Sequence, residues 1–180
     1  VELIDGQVGL IMDALENRGR IENTVIVFTS DHGEMLGDHG TWGKSSPYQP
    51  SVGVPLVAAG PGVRAGGTFD APVSLHDLAA TFLDVAGLDP TREMDSRSLV
   101  PVLSGASDAH RAYVLSGLVT QRRAWHLVFD DRYKLVRKEG ELPHLYDLQE
   151  DPWEDDDIAA AAPDRVTRMT RWLDLELERR

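Results

Sequence analysis

The residue types best suited to chemistry lie close together in the sequence, between Asp31 and Lys44. Asp31 and His32 offer a carboxylate oxygen and a ring nitrogen, and both atom types ligate divalent cations. Lys44 could supply a point charge to an anionic group that such a metal also binds. Glycines along the segment let the backbone approach a ligand closely or adopt positive φ. This composition predicts a site for a tetrahedral oxyanion ester, such as a sulfate or a phosphate ester.

Each of these residues also has a structural explanation that involves no ligand. An aspartate that follows a strand is often an N-cap or a turn former, which would account for Asp31. A single lysine such as Lys44 is usually a solvated surface residue. A second Asp-His-Gly triplet contains Asp38 and His39, which would be loop residues unless His39 contacts the substrate. On residue type alone, both explanations stay open.

An apolar run precedes this segment and places it at the end of a strand. Residues 24–29 are rich in β-branched side chains and predict a strand buried on both faces, as in a parallel sheet. Asp31 and His32 then lie just beyond the carboxyl end of that strand. Ligands of open α/β sheets bind at this edge of the sheet, so the position agrees with the chemistry.

A family resemblance accompanies these motifs. Residues 29–40, with the sequence TSDHGEMLGDHG, resemble the second metal-binding segment of the sulfatases, in the alkaline-phosphatase-like superfamily. Residues 43–48 are similar to the segment that carries the sulfate-contacting lysine of that family. The resemblance covers nearly the whole chain in family order, through residues 51–57, 73–83, 133–135 and 145–148. It implies a sulfuric ester hydrolase with an α/β sheet sandwiched by helices.

The resemblance also implies roles for individual residues. Asp31 and His32 would ligate the active-site cation, and Lys44 would contact the transferred group and the leaving oxygen. His39 would be a further contact for the small sulfated ester substrate. Calcium is the usual metal of the family, but an imidazole suits manganese or zinc better, and magnesium is a further alternative. Related phosphonate monoester hydrolases and phosphodiesterases use the same Asp-His pair, so those substrates stay open as an alternative.

The nucleophile expected of the family is missing from this sequence. Sulfatases carry a Cys/Ser-x-Pro-x-Arg motif whose first residue becomes formylglycine, and this chain has no cysteine. The nearest match, residues 88–92, begins with Leu88, and leucine cannot be oxidised to an aldehyde. We therefore expect the carboxyl-terminal portion of a sulfatase, inactive alone, which depends on a missing amino-terminal part of the same protein. A non-catalytic fragment or interaction module stays open as a second alternative.

The order of predicted elements indicates two domains. Residues 1–108 would form the carboxyl-terminal half of the sulfatase α/β domain, with the metal and sulfate loop. Residues 109–180 would form a small antiparallel β subdomain that ends in a helix. The predicted helices span residues 2–18, 75–86 and 163–177, and the predicted strands span residues 24–29, 54–58, 113–115, 124–129, 133–137 and 142–146.

Net charge limits the expected partners. The formal charge of −12 argues against binding to nucleic acid and to an anionic membrane surface. No apolar run approaches the roughly 20 residues of a transmembrane helix. The acidic run at residues 150–157 lacks the spacing of an EF-hand loop, so we expect it to be a solvated surface. The absence of cysteine leaves the compartment open.

Overall fold

The computed structural model describes residues 1–121 and 123–179. In chain order the helices are α1 (Glu2–Asn17), α2 (Gln49–Val52), α3 (Asp77–Val85), α4 (Val100–Leu103) and α5 (Pro163–Glu178). The strands are β1 (Ile26–Thr29), β2 (Leu56–Ala59), β3 (Val114–Val119), β4 (Ala124–Phe129), β5 (Tyr133–Lys138) and β6 (His144–Asp147). Short 3₁₀ turns lie at Ile21–Asn23, Asp38–Gly40 and Ala159–Ala161.

These elements fall into two compact units. The first is formed by residues 1–29, 56–69 and 77–108, and the second by residues 30–55, 70–76 and 109–180. The loop that carries the candidate site residues belongs to the second unit, whereas the first predicted domain included it. The division into domains at residue 108 stays a prediction.

The first unit contains a two-stranded sheet in which β1 and β2 run antiparallel. Phe28 lies opposite Val57, and these residues are 42% and 59% exposed. The prediction of a parallel strand buried on both faces was therefore wrong for β1. An apolar run indicates that a strand tends to be buried, but the direction of its neighbour depends on the connection, which here is residues 30–55.

Helix α1 forms where the spacing of apolar residues predicted it, although none of its residues is buried. Its apolar side chains are exposed, among them Leu3, Ile4, Leu10 and Ile11. Amphipathic helices normally pack such a stripe against other elements, so the described residues leave a large apolar surface uncovered. None of the described helices combines the length and the apolar character needed to span a membrane.

Buried polar side chains fix α3 to the segment that follows it. The Asp77 carboxylate accepts a hydrogen bond from the backbone N–H of Arg97 at 2.9 Å. The Thr81 hydroxyl accepts the N–H of Leu99, also at 2.9 Å. Both side chains are fully buried, so these two bonds hold α3 to residues 97–99.

The second unit is built on a four-stranded antiparallel sheet with the strand order β3-β4-β5-β6. Because successive side chains of a strand point to opposite faces, each strand contributes to two cores. The core that includes α5 is formed by Val128, Leu135, Leu145, Met169 and Leu173. The core on the other face is formed by Trp125, Leu127, Val136 and Tyr146, with Tyr48 and Val52 packed against it. The predicted antiparallel sheet and terminal helix are confirmed, and the sheet supports the site loop.

Candidate active site

A close backbone approach at Gly33 holds the loop between β1 and α2. The Gly33 N–H donates to the carbonyl oxygen of Ser51 at 2.9 Å. A Cβ atom at this position would overlap the carbonyl oxygen of Pro50. Glycine is therefore required for the two segments to approach this closely, and the contact anchors the adjacent Asp31 and His32.

The hydrogen bonds of His32 define which ring nitrogen carries the proton. Nδ1 lies 2.7 Å from the carbonyl oxygen of Gly33, which can only accept a hydrogen bond. Nδ1 therefore carries the hydrogen, and Nε2 presents a lone pair. Lys44 Nζ lies 2.7 Å from Nε2 and donates to that lone pair. The Ser30 hydroxyl donates to the carbonyl oxygen of His32 at 2.7 Å and fixes the backbone at this residue.

Asp31 completes a cluster with His32 and Lys44. Its Oδ2 lies 3.4 Å from Nε2 of His32. The side chains of Asp31 and His32 are 84% and 36% exposed, so the facing atoms are open to a ligand. The structure thus brings three of the predicted site residues together around one imidazole nitrogen.

The donor atoms of Asp31 and His32 fit a divalent cation. A carboxylate oxygen and an unprotonated Nε2 lie side by side, and the Gly33 carbonyl orients the imidazole through Nδ1, as commonly occurs for metal-bound histidines. Within residues 1–121 and 123–179, no group of three or more acidic and histidine side chains could hold a metal. This part of the chain therefore offers a ligand pair and not a complete set. One oxygen and one nitrogen do not distinguish calcium from manganese or zinc.

Glu34 and Met35 close the loop that presents Lys44. Glu34 Oε1 accepts a hydrogen bond from the Gly43 N–H at 2.5 Å, and the Met35 N–H donates to the Gly43 carbonyl at 2.9 Å. The Met35 side chain is fully buried. The sequence alone marks neither Glu34 nor Met35 as part of a site, because no pattern signals that a loop glutamate faces a backbone amide.

His39 makes its contacts away from this cluster. Its ring stacks on that of Tyr48, with centroids 3.8 Å apart and an interplanar angle of 6°. Its Nε2 lies 2.9 Å from the carbonyl oxygen of Trp153 and donates to it. His39 adopts a φ of 50°, which is uncommon for a residue with a side chain. The structure therefore gives His39 a part in packing the loop, and its contact with a substrate stays a proposal.

A buried ion pair supports the same loop from the sheet. Lys134 on β5 pairs with Glu154, and both side chains are completely buried. Lys134 Nζ also donates to the carbonyl oxygen of Pro47 at 3.0 Å, and Glu154 accepts the N–H of Gln49. Burial lowers the pKa of Lys134 from 10.5 to about 8, and the Glu154 carboxylate opposes that shift. The pair links residues 47 and 49 to the sheet.

The prediction that residues 150–157 form a solvated surface was wrong for Glu154, whereas the Asp157 side chain is 38% exposed. Glu154 is only 2% exposed. Asp157 accepts the N–H of Leu145 at 2.9 Å and pairs with His144 at 2.8 Å. A run of acidic residues does not show which of its members is buried. The signal lay on β5, where Lys134 stands among apolar residues and would need an acidic partner if it were buried.

A cleft of about 570 Å³ lies beside Lys44. Loop residues line one side of it and sheet residues the other, including Trp42, Lys44, Tyr48, Arg123, Trp125 and Lys138. Trp125 Nε1–H donates to the carbonyl oxygen of Ser45 at 3.0 Å, which joins the two sides. The volume lies within the range typical of small-molecule sites.

Comparison with known proteins places the chain in a family. Residues 1–88 match the family model described as Sulfatase. The arylsulfatase K of Xenopus laevis is 32% identical over 182 residues, which cover 94% of this chain and 34% of that protein. The chain belongs to the sulfatase family. It spans about a third of the length of the curated relatives that it matches.

Solved structures confirm the fold of this sulfatase chain. A protein in complex with its substrate D-glucosamine-2-N,6-O-disulfate superposes with a TM-score of 0.89 at 26% identity, over 97% of this chain and 38% of that one. A phosphonate monoester hydrolase from Silicibacter pomeroyi superposes with a TM-score of 0.85 at 30% identity, over 98% of this chain and 39% of that one. The predicted alkaline-phosphatase-like fold class is thereby confirmed.

Proposed function

We propose that the whole protein hydrolyses a small sulfated ester, and that this chain contributes part of the metal site and the cation that assists the leaving group. One observation carries the proposal. Asp31 Oδ2 and Lys44 Nζ approach Nε2 of His32 to 3.4 and 2.7 Å, in a segment that matches the sulfatase family. A structural relative in complex with a sulfated sugar supports the substrate class.

Asp31 and His32 would hold the divalent metal of this site through Oδ2 and Nε2. When bound, such a metal polarises the oxygens of the sulfuryl group and lowers the pKa of the attacking hydroxyl. We propose calcium, the metal usual for the family. Manganese, zinc and magnesium are the alternatives, because His32 offers a nitrogen ligand and calcium prefers oxygen.

Lys44 would donate a hydrogen bond to the leaving oxygen as negative charge develops on it. A preformed cation at that position stabilises the transition state more than the ground state. The hydrogen bond to Nε2 of His32 holds Nζ beside the site. Because Nε2 is also the proposed metal ligand, its engagement with metal would release Nζ for the substrate.

His39 would contact the substrate from the second Asp-His-Gly triplet. Its Nε2 donates to the carbonyl oxygen of Trp153, so Nδ1 presents a lone pair that can accept a hydrogen bond from a substrate hydroxyl. The stack on Tyr48 would hold the ring in place for that contact.

The nucleophile would come from the part of the protein that lies outside this chain. The relatives are about three times as long as the matched region, and no cysteine is present to become formylglycine. We propose that this amino-terminal part also covers the exposed apolar stripe of α1. The chain alone would then be inactive.

Two alternatives have observations in their favour. Hydrolysis of phosphonate monoesters or phosphodiesters is supported by the phosphonate monoester hydrolase with a TM-score of 0.85 and 30% identity. A non-catalytic module is supported by the absence of a nucleophile from the chain itself. The same assay separates all three functions.

The test uses the full-length protein and a matched pair of substrates, an aryl sulfate and the corresponding aryl phosphonate monoester. We expect kcat/KM to be higher for the sulfate, and Asp31→Ala to abolish turnover and to lower the bound metal measured by mass spectrometry. Faster phosphonate hydrolysis would favour the first alternative, and no hydrolysis of either ester would favour the second.

Asp38 provides the matched control for this test. It occupies the same position in the second triplet as Asp31 does in the first, and it is exposed. Asp38→Ala should retain its metal and most of its activity. Equal metal loss in the two variants would remove Asp31 from the proposed ligand set.

A further inference from the structure

The cleft beside Lys44 contains a cation that the proposed chemistry does not use. Arg123, at the end of the turn between β3 and β4, lines this cleft and is exposed. Its backbone makes three hydrogen bonds to Thr120. The Arg123 N–H donates to the Thr120 hydroxyl at 3.0 Å, and the Arg123 carbonyl accepts from that hydroxyl at 3.0 Å and from the Thr120 N–H at 2.8 Å. Its guanidinium has no ion-pair partner among the described residues. The backbone of Arg123 is thus fixed, while its charge is available.

The other charged groups of the cleft are balanced or already assigned. Lys138 Nζ lies 3.8 Å from Glu141 and 5.6 Å from the centre of the Tyr48 ring. Lys44 is bonded to His32. Glu139 is the remaining acidic residue of the lining. In a chain with a net charge of −12, a cleft in which cations outnumber carboxylates by three to two is unusual, and it favours an anionic occupant.

Trp42 gives the cleft a flat apolar surface. Its indole is 76% exposed although it lies in a closed loop. A Cβ atom at Gly37 would lie 3.6 Å from Cζ2 of the indole, so the loop packs against one edge of the ring. The Gly37 N–H donates to the Thr41 carbonyl at 2.9 Å and closes the loop just before Trp42. An exposed, supported indole is suited to stacking on an aromatic or sugar ring.

We propose that this cleft binds the leaving-group portion of the substrate, and that Arg123 selects a leaving group that carries a second anionic group, with Trp42 stacking on its ring. The proposal rests on the proposed function, because Lys44 is both the leaving-group cation and a wall of the cleft. The alcohol released beside Lys44 enters the space that Trp42 and Arg123 line. A guanidinium is well suited to a carboxylate or a sulfate, which it can bind with two hydrogen bonds.

Two phenyl sulfates test this selection in the full-length protein. One carries a carboxymethyl group in the para position and the other the isosteric carbamoylmethyl group, so the esters differ mainly in charge. We expect kcat/KM to be about five- to tenfold higher for the carboxylate, the size of one hydrogen-bonded charge pair at a partly exposed site. Equal values for the two esters, with clear turnover of both, would overturn the proposal and leave the sulfatase function intact.

Variants assign the preference to a residue. Arg123→Gln should remove the preference for the carboxylate ester over the neutral ester, and Arg123→Lys should retain part of it. Arg171→Gln, on the exposed surface of α5, makes the same change in net charge and should leave the preference intact. If Arg171→Gln weakened the preference as much as Arg123→Gln, general charge and not the cleft would be responsible.

Binding gives a measurement that does not depend on turnover. The product 4-hydroxyphenylacetate should quench tryptophan fluorescence of the full-length protein, and Arg123→Gln should weaken its binding about five- to tenfold. Trp42→Phe identifies the part of the signal that comes from Trp42. If neither sulfate is hydrolysed, the proposed function fails, and this titration still decides the anion subsite: binding that is unaffected by Arg123→Gln would overturn it.

Discussion

Lys44 donates a hydrogen bond from Nζ to Nε2 of His32 at 2.7 Å, across a loop that separates the two residues in sequence. The bond requires Nε2 to be unprotonated, and the contact of Nδ1 with the Gly33 carbonyl explains why it is. One nitrogen therefore has two possible partners, a lysine and a metal. This relationship makes the roles of the two residues separable by experiment.

We expect Lys44→Ala to lower kcat of the full-length protein by roughly two orders of magnitude or more, the effect of removing one donor to a developing charge. Its metal content should stay unchanged, because Asp31 and His32 remain. Lys44→Arg should recover part of the activity by restoring a cation. Steady-state kinetics with metal analysis checks both statements, and an unchanged kcat/KM in Lys44→Ala would refute the assignment.

The two triplets allow a second comparison, between their histidines. His32→Ala removes the proposed nitrogen ligand and should lower the metal content of the full-length protein. His39→Ala removes the stack on Tyr48 and the bond to Trp153, and it should raise KM while the metal stays bound. Metal analysis and KM are measured on the same preparations. If His39→Ala also lost the metal, the separation of the two triplets would be wrong.

The sequence was sufficient for the parts of the site that depend on local pattern. A β-branched run indicated a strand that ends just before Asp31 and His32, and helical spacing indicated α1 and α5. It was insufficient for the direction of β2, because strand direction depends on where a long connection leads. Local pattern also could not show that the lone pair of His32 faces Lys44, since that depends on backbone carbonyls.

Partners far apart in sequence account for most of what was missed. Lys134 and Glu154 are 20 residues apart, and each looked ordinary in its own segment: a strand lysine and one member of an acidic run. The same holds for Arg123, which is placed in the cleft beside Lys44 by the pairing of β3 with β4. Charge pairing of this kind follows from tertiary structure, which single-sequence patterns do not encode.

Gly33 provides a test of the loop anchor. Gly33→Ala would force a Cβ atom against the Pro50 carbonyl, and we expect it to destabilise the full-length protein by about 1–3 kcal/mol, as overpacked sites do. Gly9 in α1 is the control, because a Cβ there meets nothing within 4 Å. Gly9→Ala should be neutral or stabilising by about 0.5–1 kcal/mol. Thermal unfolding measures both, and equal stability of the two variants would mean that the loop tolerates the extra atom.

Removing one charge of the buried Lys134–Glu154 pair should cost more stability than removing both charges. Lys134→Met leaves the Glu154 carboxylate buried without its partner, and we expect a loss of about 3–5 kcal/mol in the stability of the segment it holds. Lys134→Met combined with Glu154→Gln should recover much of that loss. Hydrogen exchange of residues 45–50 in the full-length protein reports on this segment. A double variant as unstable as the single one would show that the charge of Glu154 was not the cause.

The lowered pKa of Lys134 predicts a rise in stability with pH. Its pKa is about 8 in the folded state and 10.5 in an unfolded chain, so between these values the unfolded state binds more protons. The free energy of opening at residues 45–50 should therefore increase from pH 8 towards pH 10, by up to about 3 kcal/mol. Burial raises the pKa of Tyr146. Above pH 10 the folded state therefore keeps the Tyr146 proton more readily than the unfolded chain does, and this lowers stability as the pH rises further. Hydrogen exchange across this range, corrected for intrinsic rates, measures the profile. The rise should vanish in the variant that combines Lys134→Met with Glu154→Gln, and its persistence there would assign it to another group.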